Sequence, residues 1–233
     1  MRDGSAPPHE SPATEPGFLG AAVLVGLAVA LAAIFLLGWL ASEVIEGETL
    51  AFDTAVRLAV HRLASPTATS LFRTITLVGS PSVLGALGLV AVVIFAIRRW
   101  WRGVALYVVA MAGAGLLDTA LKLSFHRARP APYFGYTLPS SYSFPSGHTL
   151  FSLVVLCTAA TLLSPRLVRW PARVAVWAVA VGLSLLVGLS RIYLGVHYPS
   201  DVLAGYAAGA AWVATVALGD RAAHARARRR GGA

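Results

Sequence analysis

Apolar residues fall into six long blocks along this chain: Phe18–Ala41, Leu77–Ile97, Gly103–Leu121, Ser146–Leu163, Val174–Ser190 and Val202–Gly219. Each is long enough, or nearly so, to cross about 30 Å of hydrocarbon at about 1.5 Å per residue. Hydrocarbon offers the backbone no water to bond, so each block is predicted to be a helix. The pattern therefore predicts an all-α fold, a six-span transmembrane helical bundle occupying residues 18–220. Residues 1–17 are rich in Pro, Glu and Ser, carry no apolar period and predict a disordered tail. Residues 221–233 form a short basic tail. The first block is too long for a signal peptide, and its leader is as acidic as it is basic, so it is expected to remain as a span.

The connection between the first two blocks, residues 42–76, has a pattern of its own. Phe52, Val56, Ala59, Val60 and Leu63 recur at helical spacing, with Arg57, His61 and Arg62 among them. This predicts an amphipathic interfacial helix on the outer membrane face, where His61, Arg62 and Arg73 would meet anionic headgroups. A plain loop with chance periodicity is the alternative.

Composition agrees with a membrane body. Hydrophobic residues make up 57% and charged residues 12%, whereas soluble domains average about a quarter charged. The net charge of +9 raises nucleic acid as a partner, but the basic residues sit in short clusters between apolar blocks without aromatic interleaving, which argues against it. Their placement fits topology instead. Three arginines lie at 98–102, three at 166–173, five in the C-terminal tail and one in the N-terminal tail. The positive-inside rule makes that side cytoplasmic, with both termini there, and a plasma-membrane location follows. The single Cys157 can form no intramolecular disulfide.

Three polar clusters remain, all at block ends on the opposite, extracytoplasmic side. They are Lys122 with Arg129-Pro130, then Pro145-Ser146-Gly147-His148, then Ser190-Arg191 continuing to His197 and Asp201. Ionisable groups at membrane depth are costly, which marks them as candidates for a site. Lys122, Arg129 and Arg191 are three fixed cations that would repel one another unless an anion of high charge density joined them. The two guanidinium groups match phosphate oxygens. Ser146 and Gly147 stand where a helix begins, so their N–H groups can also point at an anion. The set reads as a phosphate cage. A neutral imidazole can attack phosphorus, and His197 has Asp201 four residues on to hold one ring N–H. Pro199 between them is suited to open the sixth helix. His148 would give a proton to the leaving oxygen and then take one from water, predicting a bell-shaped pH profile.

Lys122 to Pro130 has the form K-x-x-x-x-x-x-R-P, residues 145–148 read P-S-G-H, and residues 190–201 read S-R-x-x-x-x-x-H-x-x-x-D. The chain thus resembles the membrane-bound type 2 phosphatidic acid phosphatase family, which shares its site with vanadium haloperoxidases. The resemblance implies that His197 forms a phosphohistidine, Asp201 orients it and His148 serves as acid and then base. It implies that Lys122, Arg129, Ser146, Gly147 and Arg191 bind the phosphoryl group. Neither a metal nor another cofactor is implied. The expected partner is a membrane lipid phosphate or diphosphate: a polyprenyl diphosphate, phosphatidylglycerol phosphate, phosphatidic acid or a prenyl-sugar phosphate. A lipid phosphotransferase using the same phosphohistidine, and a transporter or structural protein with a degenerate site, are the alternatives; oligomeric state is left open. A haloperoxidase has no need of a six-span body. Asp118 sits four residues before Lys122, the spacing that lets two helix side chains meet, so it is expected to position Lys122, with a simple place on a polar cavity near the site as the alternative. His126 and Arg127 are expected to meet only solvent, with a headgroup contact as the alternative.

Overall fold

A computed structural model describes residues 16–231, and all regular structure in them is helical. The helices are α1 (Pro16–Glu46), α2 (Leu50–His61), α3 (Pro66–Val78), α4 (Pro81–Ile97), α5 (Trp101–Phe125), α6 (Gly147–Leu163), α7 (Trp170–Tyr193) and α8 (Pro199–Gly231), with one 3-10 turn at Ser164–Arg166. Most of the expected N-terminal tail lies outside the described residues. At the other end α8 continues through the stretch expected to be a basic tail, as far as Gly231.

Five helices are individually long and apolar enough to cross a membrane: α1, α5, α6, α7 and α8. The second expected span is not a single helix. α3 and α4 together pass the same test but meet at a 45° bend, so the count is six only if this pair forms one span. The sequence Gly79-Ser80-Pro81 explains the break. Gly79 ends α3, the Ser80 hydroxyl accepts from the Val83 N–H at 3.3 Å, and Pro81 opens α4. A capping serine followed by proline is a helix start. Ser65-Pro66 opens α3 in the same way, with Ser65 Oγ accepting from the Ala68 N–H at 3.2 Å.

The bundle is organised around α6. Over its membrane-crossing window α6 is 56% buried, against 17% for α5 and 22% for α7. It packs between α5, α7 and α8, while α1 covers α8. Around it Ala110, Ala114, Leu150, Val154 and Ala208 form a close core, as expected where small residues let membrane helices approach. Gly205 of α8 makes one approach essential. A Cβ there would come within 2.7 Å of the Ser146 carbonyl oxygen, so α8 presses directly on the start of α6. The outward faces stay apolar, with Phe35, Leu116 and Trp170 largely exposed, which suits a lipid solvent.

A helix does form in the connection after α1. On α2 the buried residue is Asp53, while Leu50, Phe52, Leu58 and the following Leu63 are exposed. Val60 packs against Tyr193, Leu194 and Val196, Arg57 donates to the Ala131 and Gly195 carbonyls, and Asp53 is the one residue of α2 that is fully buried.

Candidate active site

The ends of α5, α6, α7 and α8 on one side of the bundle bring the three polar clusters together. Lys122 lies in the last turn of α5 and forms a salt bridge with Asp118 one turn earlier. The helix ends there because His126 adopts a left-handed conformation (φ 49°) and returns its N–H to the Lys122 carbonyl at 3.1 Å. Gly147, the first residue of α6, lies directly against this pair. A Cβ at Gly147 would sit 3.0 Å from both Asp118 Oδ1 and Lys122 Nζ. The expected pairing of Asp118 with Lys122 is thus present, packed against the backbone at the helix start.

His197 lies in the turn before α8, and Asp201 in the first turn of that helix, which Pro199 opens. Both are buried. His197 Nδ1 is 3.4 Å from Asp201 Oδ2 and 3.5 Å from Ser143 Oγ. On the other side of the ring, Arg129 Nη1 approaches Nε2 at 2.9 Å. A guanidinium can only donate. Nε2 must therefore carry the lone pair, and the proton sits on Nδ1, directed towards Asp201. Burial drives the His197 pKa down to about 4; Asp201 opposes this, while Arg129 and Arg191 add to it. The ring is therefore neutral at neutral pH, with a fixed tautomer.

The cations are held in different ways. Arg129 is stapled to the loop before α6, donating to the Ser141 carbonyl at 2.8 Å, the Tyr142 carbonyl at 3.2 Å and the Ser141 hydroxyl at 3.1 Å. It also reaches the Val196 carbonyl at 3.1 Å. Arg191 is fully buried on α7. One of its terminal nitrogens donates to Thr76 of α3, its head lies over the Tyr136 ring at 5.7 Å, and its Nε is a buried donor with no hydrogen-bond partner. Burial of a cation with a donor left over is costly unless an anion shares the site. Ser146 precedes α6, buried; its N–H, expected to point at an anion, is instead given to the Asp201 carbonyl at 2.9 Å, and its hydroxyl accepts from Thr149 at 2.9 Å. Half-buried His148 lies within electrostatic reach of Arg191, His197, Arg129 and Lys122. All eight residues expected to bind or react therefore converge.

Arg127 does not meet only solvent. It donates to Asp201 Oδ1 at 2.6 Å and Ser200 Oγ at 2.8 Å with one nitrogen, and to Asp53 Oδ2 at 2.8 Å and Thr49 Oγ1 at 3.1 Å with the other. Its guanidinium also stacks on Tyr198 at 4.2 Å. His126, by contrast, is exposed and meets the Tyr142 ring edge at 4.6 Å. Four further residues around the site went unread in the sequence: Asp53, Thr76, Ser143 and Ser200. Ser143 Oγ donates to Asp201 Oδ2 at 2.5 Å, alongside the Tyr198 N–H at 2.9 Å. A lone acid within an apolar period, as at Asp53, was the one available signal.

The Lys122 environment sets up a prediction. Because Asp118 and Gly147 crowd the ammonium, a planar guanidinium cannot take its place. Lys122→Arg should insert and fold normally yet lose roughly tenfold or more in kcat, measured as phosphate release by purified protein.

Comparisons with known proteins agree with this geometry. Residues 103–223 match the PAP2 superfamily. The chain is 32% identical over 161 residues to phosphatidylglycerophosphatase B of Bacillus subtilis, covering 67% of this chain and 77% of that protein. It is 38% identical over 121 residues to a lipid A 1-phosphatase of Rhizobium johnstonii, covering 47% of this chain and 44% of that one. Among solved structures, the transmembrane PAP2-type phosphatidylglycerolphosphate phosphatase from Bacillus subtilis superposes with a TM-score of 0.72 at 28% identity, over 80% of this chain and 93% of that one. Aquifex aeolicus LpxE gives a TM-score of 0.52 at 26% identity, over 71% and 93%. The converging motifs, the helical body that carries them and these similarities lead to one assignment: the chain belongs to the PAP2 superfamily.

Proposed function

We propose that this protein is a metal-independent phosphatase that removes a phosphoryl group from a membrane lipid phosphate or diphosphate through a phosphohistidine. The carrying observation is His197 itself: a buried, neutral ring with Nδ1 directed towards Asp201 and Nε2 facing Arg129. Arg129 gives up its contact with Nε2 as the phosphoryl group enters and turns that donor to a phosphoryl oxygen. Lys122, Arg191 and the backbone at the start of α6 hold the other oxygens, taking the charge-stabilising role that a divalent ion plays in other phosphoryl transfers. Nε2 attacks phosphorus, the P–O bond to the lipid breaks, and His148 delivers a proton to the departing oxygen. His148 then takes a proton from water, whose oxygen attacks the phosphohistidine. Inorganic phosphate and free His197 result.

The Asp118–Lys122 pair supports a lipid substrate. The same stretch of α5 also carries Leu116 and Leu123, both largely exposed, which suits a headgroup that enters while its tail remains among lipids. Both termini are cytoplasmic in this reading, the site faces the extracytoplasmic side, and α2 lies at that interface with Leu50, Phe52 and Leu58 outward. The similarity to proteins named phosphatidylglycerophosphatase B, lipid A 1-phosphatase and undecaprenyl-diphosphatase supports a substrate drawn from glycerophospholipid, saccharolipid and prenyl phosphates. Purified protein in detergent should release phosphate from at least one of these classes with chelator present. Release from none of them would refute the proposal.

The pH dependence follows from the site. Protonating His197 removes the nucleophile, and its pKa in the substrate-free protein is about 4. The acid limb of kcat/KM, which reports the free enzyme, should therefore lie near 4, well below the ordinary histidine value of about 6.5. A pH–rate series in mixed buffers measures it.

A further inference from the structure

We propose that Asp53 and Arg127 form a positioning pair that sets the charge and orientation of the His197–Asp201 couple, so that α2 is part of the catalytic apparatus. This inference rests on the phosphohistidine reading above. Arg127 lies between two fully buried carboxylates, one nitrogen 2.6 Å from Asp201 and the other 2.8 Å from Asp53. Asp53 is fixed in turn by the helix that carries Asp201. It accepts from the Ser200 N–H at 2.9 Å and the Ser200 hydroxyl at 2.6 Å. The start of α8 is thus clamped to α2 on one side and to Arg127 on the other. No apolar contact explains an acid at this place on α2, since the neighbouring Leu50, Phe52 and Leu58 all point away.

The arrangement has a chemical consequence. Asp201 must stay ionised to hold Nδ1–H and to stabilise the positive ring that forms when Nε2 is phosphorylated. Buried, it needs a counter-charge, and Arg127 supplies one from the face opposite His197. Asp53 offsets half of that arrangement. Without it, the full charge of Arg127 would fall on Asp201 alone; without Arg127, two buried carboxylates would lose the cation they share. The other charged and titratable groups acting on His197 are Arg129 of the loop, Arg191 of α7 and His148 of α6. They stay in place in either variant.

The two substitutions should therefore move the acid limb of kcat/KM in opposite directions. Asp53→Asn removes a negative charge near His197 and should shift the limb to lower pH. Arg127→Gln leaves excess negative charge and should shift it to higher pH. Each should lower kcat by roughly tenfold to a hundredfold, because the ring loses its alignment, while KM for the lipid stays near the wild-type value. Arg127→Lys should recover part of the rate and restore the limb. Thermal unfolding in detergent accompanies each measurement, and His197→Ala serves as the control. If wild type and His197→Ala turn over alike, the phosphohistidine reading fails and this inference falls with it. If His197→Ala is inactive but both variants keep wild-type kcat and an unmoved limb, this inference alone is overturned. Limbs that move in the same direction, or failure of Asp53→Asn and Arg127→Lys to fold at all, would mark the pair as structural and also overturn it.

Discussion

His197→Ala should abolish phosphate release, with a loss of about 10⁴-fold or more in kcat, the scale seen when a nucleophile is deleted from a preorganised site. The mechanism offers no substitute. The neighbouring Ser143 hydroxyl gives its proton to Asp201 at 2.5 Å, and His148 stands on α6 with a different task. The three cations would remain, so lipid binding should survive where turnover does not. Equilibrium binding of a lipid phosphate to the variant, compared with its kcat, separates the two effects. Because the substitution removes a ring held between Asp201 and Arg129, it leaves two charged groups with fewer partners. A modest fall in thermal stability should accompany the loss of activity.

Arg191→Lys is the second large expected effect. The guanidinium is fully buried, anchored through Thr76 to α3 and covered by Tyr136. Its unpartnered Nε is the clearest sign that an anion belongs beside it. Lysine keeps the charge but loses the fork, so it can hold either Thr76 or a phosphoryl oxygen, not both in fixed geometry. Removing one preorganised donor from a developing charge costs about 10²- to 10³-fold in rate, and kcat/KM should fall by that order. The readout is steady-state kinetics on the same lipid, alongside a melting curve to establish that the bundle is intact. A drop confined to KM would show that Arg191 serves binding alone.

Much of this architecture could be read from the chain, because period and polarity suffice for helices in lipid. Four of the six apolar blocks sit wholly inside single observed helices, the fourth loses only its cap Ser146, and the second, Leu77–Ile97, straddles the break between α3 and α4. Gly79-Ser80-Pro81 turned one expected span into a bent pair because a capping serine and a proline outweigh hydropathy at a helix end. The motif residues converge because each stands at a helix terminus on the same side, a relation that alternating span direction makes legible. What was hidden depends on side-chain reach. Arg127 looked like one more loop cation, and nothing in its local sequence announces two acids 74 positions away in either direction. Asp53 was masked by the period around it: the apolar spacing announces an amphipathic helix at the membrane face, but not that its one acid is the residue buried against Ser200 and Arg127. Thr76 shows the same limit, since a threonine inside an apolar stretch carries no sign that an arginine 115 residues later will need it.

The central claim is that His197 carries the phosphoryl group. The direct measurement is to mix purified protein with a lipid phosphate labelled in its terminal phosphoryl group, with chelator present, quench in alkali within the first turnover and map the label. Phosphohistidine survives alkali and is lost in acid. Alkali-stable label is expected at His197 in the wild-type protein and none in His197→Ala. A wild-type protein that releases phosphate rapidly while carrying no label at His197, or that carries it on another residue, would contradict the account.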